Sequence, residues 1–209
     1  MQFGQMKQKS LLIAGALFCA LAWGAPGQAA DGKNQYKIEG VGVLTCQQYL
    51  EARKKQSPIY FRMGGWLNGY LTATQRFLPK TYALAAWQST DLLLASIAAK
   101  CTENDKLQFH NVAQLLIGFM HADRLQVNSP LIRVTRGDKK LSVFKSVMVR
   151  VQNRLSEGGF YGGEANGEYT KEIAEALMSY QGSKSLPTTG LPDQPTLGSL
   201  LGKKGATNN

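Results

Sequence analysis

Apolar residues recur three and four apart through most of this chain, the period of helices that bury one face. Tyr49, Leu50 and Ala52 mark a short first helix over Gln47 to Lys55, closed by Ser57 and Pro58. Met63, Trp66, Leu67, Tyr70, Leu71 and Thr74 stripe a second, and its Gly64, Gly65 and Gly69 predict close packing on a neighbour. Ser89 or Thr90 caps a third, which carries Leu92, Leu93, Ala95, Ile97, Ala98 and Cys101. Asn104 or Asp105 opens a fourth, with Phe109, Val112, Leu115, Leu116, Phe119 and Met120 along one side. The period then breaks at Asn128, Ser129 and Pro130. Leu131, Ile132 and Val134 read as a short strand, and Gly137 and Asp138 as a turn. Helical spacing resumes from Val143 to Leu155, from Thr170 to Tyr180 and from Thr196 to Leu201, separated by a Gly-rich and a Pro-rich loop.

The first 30 residues follow a different logic. Lys7 and Lys9 precede the apolar run 11–23, and small residues follow Pro26. Residues 1–30 are thus expected to be a secretory signal peptide, since the run is short of the roughly 20 residues of a membrane span. Its loss removes two lysines and no acid, so the formal charge of +10 falls to +8. The excess sits in residues 31–141, while residues 142–203 are balanced. A basic front half attracts anionic partners, including wall carboxylates, acidic proteins and, as a peripheral contact, a membrane surface. Nucleic acid is not expected of an exported chain without an aromatic and arginine stripe.

Cys46 and Cys101 are the two cysteines left after export, and in an oxidising compartment an even pair is most simply a disulfide. A redox or metal role is disfavoured, because there is no CxxC and neither His110 nor His121 adjoins a cysteine. No nucleophile and base are legible together. Glu164, Glu168 and Glu172 read as acids at a loop and a helix start. Neither an enzyme nor a cofactor is expected.

In the front half TCQQYL, WLNGYLTA and a helix ending in KC stand in that order. About residues 44–120 resemble the periplasmic acid-stress chaperones of the HdeA type and the Rap1a/Tai immunity proteins of type VI secretion. That resemblance implies a small helical domain with Cys46 and Cys101 as its bridge. Trp66 and Tyr70 would be core residues or contacts to a protein partner, and Arg133 and Arg136 in the joint are further contact candidates. Few acids are available here for a carboxylate switch.

The back half carries the denser pattern. Gln152 and Leu155 are followed by Gly159, Phe160, Tyr161 and Gly163, then Asn166 and Gly167, then Tyr180 and Gln181. Leu186, Thr189, Gly190, Asp193, Thr196, Leu197 and Leu200 complete it. Order and spacing resemble the peptidoglycan-binding-like domains of wall hydrolases and envelope proteins. Asn166 replaces a more usual Asp, and Ser185 a more usual Gly. The resemblance implies a small three-helix domain that grips peptidoglycan. Tyr161 and Tyr169 are candidates to stack on sugar, and Asn166, Gln152 and Gln181 to hydrogen-bond it, although both glutamines read equally as braces of their loops. Gly159, Gly163, Gly167 and Gly190 are expected where the backbone needs positive φ or close approach.

The expected protein is mostly α, with a disulfide-bridged four-helix domain (31–125), a linker (126–141), a peptidoglycan-binding-like domain (142–203) and a disordered tail (204–209). Its expected role is that of a non-enzymatic periplasmic protein. It would anchor to the wall and bind a protein partner in an envelope or secretion-system assembly. Immunity against a secreted toxin, acid-stress chaperoning and service as a wall-hydrolase accessory are the alternatives.

Overall fold

The computed structural model describes residues 31–33 and 35–202. The expected signal peptide and tail lie outside the described residues. The described residues from Ile38 to Gly202 form one compact unit, and ahead of it in the sequence the Asp31 carboxylate accepts from the amides of Lys33 and Gln35.

Four helices build the front of the larger unit: α1 (Cys46–Lys54), α2 (Pro58–Phe77), α3 (Thr90–Glu103) and α4 (Phe109–His121). Thr45 and Gln48 close a reciprocal capping box on α1, Pro58 opens α2, and the Ser89 hydroxyl accepts from the Leu92 amide at the start of α3. Their buried faces meet around Tyr49, Met63, Leu67, Ile97 and Phe109. The Cys46–Cys101 disulfide ties the start of α1 to α3, as the sequence predicts.

Three details differ from the helical pattern. α4 starts at Phe109, after Gln108, because Asn104 and Asp105 are held in a turn whose carbonyl and side chain receive the amides of Gln47 and Lys106. Its buried face runs through Phe109, His110, Val112, Ala113 and Met120, which leaves Leu115 exposed and Phe119 70% exposed. Of the three glycines in α2 only Gly64 is buried, against Leu94, while Gly65 and Gly69 face open space.

A β-hairpin follows. β1 (Leu131–Arg136) pairs antiparallel with β2 (Lys139–Phe144) through the Gly137–Asp138 turn. Val143 and Phe144 therefore end a strand, and α5 (Lys145–Glu157) begins after them. With α6 (Lys171–Ser183) and α7 (Gln194–Leu201) it encloses a second cluster built on Val147, Met148, Val151, Leu155, Ile173 and Leu177. Val134, in the stretch expected as linker, is fully buried in this cluster. Ala83, Ala86 and Leu125 also enter it from the front half of the sequence, Ala83 and Leu125 being joined by a β-bridge. Among the described residues no helix is long and apolar enough to cross a membrane.

Candidate functional site

Two loops of the second cluster are organised in the same way. Gln152, wholly buried on α5, accepts from the Gly167 amide at 2.7 Å and donates to the Glu168 carbonyl at 3.0 Å and the Asn166 carboxamide oxygen at 3.3 Å. Gln181, wholly buried on α6, accepts from the Gly190 amide at 2.8 Å. Its amide donates to the Leu191 carbonyl and to the hydroxyls of Thr189 and Thr196. In each case one carboxamide satisfies a donor and acceptors of a loop that has no ladder of its own. Gln152 and Gln181 brace the loops and have no surface to offer a ligand.

The glycines at the centre of each loop are sterically required. Gly167 has φ +80°, and a Cβ there would stand 2.9 Å from the Lys145 carbonyl oxygen. Gly190 has φ +66°, and its Cβ would stand 3.1 Å from the Ala174 carbonyl oxygen and 3.0 Å from the Arg136 guanidinium. Gly159 also has positive φ, whereas Gly163 lies against the Tyr161 phenol, which a Cβ there would displace.

The Gly-rich loop and α6 border a surface groove of about 570 Å³. Phe160 and Tyr161 form one wall, and Thr170, Glu172, Glu175 and Ser179 line the rest. Phe160 is fixed edge-on against Tyr180 at 5.4 Å, and the Tyr161 hydroxyl donates to the Glu164 carbonyl at 3.2 Å. Thr170 caps α6 and holds the Glu172 carboxyl below its ordinary pKa through a hydrogen bond. The result is a half-buried aromatic wall beside two carboxylates and hydroxyls, suited to a sugar face or an amide and not to an anion.

The other predicted contacts fall elsewhere. The Tyr169 hydroxyl donates to the Gly190 carbonyl at 2.8 Å, and burial raises its pKa against the opposing pull of Arg136. Asn166 is exposed, but its oxygen already accepts from Gln152 and the Glu168 amide. Trp66 stacks on Tyr70 at 5.0 Å and donates to the Glu39 carbonyl at 2.8 Å, half-buried on α2. Arg133 and Arg136 belong to the hairpin of the second cluster and not to the bundle. Arg136 reaches the Met178 sulfur at 3.1 Å.

Sequence reasoning missed one junction altogether. Gln194, at the start of α7, donates to the Trp87 carbonyl at 2.6 Å and accepts from the Ser89 amide at 2.8 Å. Asp123 pairs with Arg150 at 2.9 Å nearby in the chain order, joining the end of α4 to α5. A glutamine beside a proline carries no sequence signal for such a role.

A three-helix unit with braced glycine loops and an open aromatic groove belongs to the class of small binding modules. In agreement, residues 146–200 match the family described as "Putative peptidoglycan binding domain". No curated protein and no solved structure gives a significant match. The matched family is one of non-catalytic adaptor domains, and among the described residues no group of His, Cys, Asp or Glu is placed to hold a metal ion. Residues 146–200 are thus similar to a peptidoglycan-binding module.

Proposed function

We propose that the protein is exported to the periplasm, holds peptidoglycan in the groove of its C-terminal domain (142–203) and presents its disulfide-bridged bundle (31–125) to a protein partner. The family match over residues 146–200 carries the first part of this reading. The groove supports it, because Tyr161 is the one predicted contact whose ring lines an open surface of the matched module. In this reading Tyr161 stacks on a sugar ring while Glu172 and Glu175 accept from its hydroxyl or acetamido groups. The bundle's resemblance to HdeA-type and Rap1a/Tai proteins supports protein binding, with the Trp66–Tyr70 face as the contact.

Cosedimentation with purified sacculi tests the wall contact. The chain from residue 31 onward is expected in the pellet, and Tyr161→Ala in the supernatant with its fold intact. Wild-type protein remaining in solution overturns the proposal. Crosslinking in cells separates the roles of the bundle: one stoichiometric partner speaks for assembly or immunity, and many acid-dependent clients for chaperoning.

A further inference from the structure

One face of the β-hairpin is uncovered among the described residues. Ile132, Val134, Leu141 and Val143 pack toward the second cluster, so strand alternation turns Leu131, Arg133, Thr135, Lys140 and Ser142 to the other side, while Phe144, at the end of the strand, also packs against that cluster. The register pairs Arg133 with Ser142 and Thr135 with Lys140, which makes Arg133 and Lys140 diagonal neighbours on that face. Neither their side chains nor that of Lys139 has a hydrogen-bond or ion-pair partner among the described residues. Asp138 is the single acid between Leu125 and Lys145, against four basic residues.

The opposite end of the same face is apolar. Leu131 is 63% exposed and pairs with Phe144, whose ring meets Tyr82 edge-on at 6.0 Å. The Tyr82 amide donates to the Leu125 carbonyl, and two residues further Val127 is 75% exposed. Exposed branched aliphatics and unpaired cations thus occupy one continuous stretch of chain.

We propose that this face docks on an anionic phospholipid surface, with Leu131 and Val127 entering the headgroup layer and Arg133 and Lys140 meeting the phosphates. Charge complementarity selects an anionic partner. The aliphatics select lipid over wall carboxylates, because a hydrated glycan gives Leu131 and Val127 nothing apolar to enter. The surface lies outside residues 146–200 and is independent of the wall-binding groove.

The test uses residues 31–209, which retain the whole compact unit and lack the apolar run 11–23. Cosedimentation is measured with vesicles of phosphatidylglycerol and phosphatidylcholine in equal parts, and of phosphatidylcholine alone. Binding to the anionic vesicles is expected to exceed binding to the neutral ones by about tenfold or more, and R133E/K140E is expected to lose about as much. L131S is expected to weaken binding several-fold with the charges unchanged. All three positions are exposed, so melting temperatures should match wild type. K54E, on α1, serves as the charge control and should bind as wild type. Equal binding to both vesicle types, wild-type binding by R133E/K140E, or an equal loss in K54E overturns the proposal. So does a loss by R133E/K140E on sacculi but not on vesicles, which would make the face a wall contact.

Discussion

Gln194 donates to the carbonyl of Trp87 across 107 residues of sequence, and its oxygen takes the amide of Ser89. One side chain of the wall-binding module therefore closes the loop that launches α3 of the bundle. Ala83, Ala86 and Leu125 add apolar surface to the module's own core. The two halves are predicted to unfold together. Calorimetry of residues 31–209 should give a single transition, and the fragment 142–203, without Ala83, Ala86, Leu125 and Val134, should melt without cooperativity. Gln194→Ala should cost about 1–3 kcal/mol by leaving the Ser89 amide and Trp87 carbonyl without their partner. Two separate transitions in the intact chain would refute this coupling.

The braces and the groove should separate stability from binding. Gln152→Ala leaves the Gly167 amide and the Glu168 carbonyl unsatisfied inside the fold and opens a cavity, a loss of about 2–4 kcal/mol. Wall binding should fall with it. Tyr161→Ala removes a half-buried ring on the groove and one hydrogen bond at 3.2 Å, so urea titration should show a loss near 1 kcal/mol while sacculus binding is abolished. Equal effects of the two substitutions on stability would remove the distinction.

Much of this was legible because regular elements repeat their signal. The four-residue spacing of Val147, Val151 and Leu155 is enough to place the buried face of α5, and the order of glycines and glutamines locates both braced loops. What escaped is carried by single residues in irregular segments. Ala83, Ala86 and Leu125 have no periodicity, and Gln194 acts on backbone atoms whose identity leaves no mark in sequence. Phe119 fits the stripe of α4 by spacing yet stands exposed, since periodicity assigns a face and not the neighbour that covers it.

The disulfide closes a loop of 55 residues within the bundle. In the chain-entropy account, a loop of this length contributes about 4 kcal/mol by restricting the unfolded state. Because Ala83, Ala86 and Leu125 tie the connecting segments of the front half into the core of the module, reduction should lower the melting temperature of both together. The oxidised protein should be lighter by two hydrogens in intact mass spectrometry. Unchanged melting under reductant would show that the bridge constrains nothing the packed helices do not already hold.

Tyr49 gives the fold an alkaline limit. Its ring is fully buried between Tyr60 and Phe109, and its hydroxyl donates to the Leu94 carbonyl at 2.6 Å. Burial raises its pKa well above the ordinary phenol value, while the positive charge of Arg53 works in the opposite direction. The folded chain therefore keeps this proton where the unfolded chain releases it. The contribution of the neutral phenol is complete below pH 10, and above it each further pH unit removes up to about 1.4 kcal/mol as the unfolded state ionises. Urea titrations between pH 8 and pH 11 should show this decline in the wild type. Tyr49→Phe cannot ionise and should flatten the slope, from a plateau lowered by about 1–2 kcal/mol because the Leu94 carbonyl loses its donor. If both proteins decline in parallel above pH 10, the sensitivity belongs to other groups and Tyr49 does not set it.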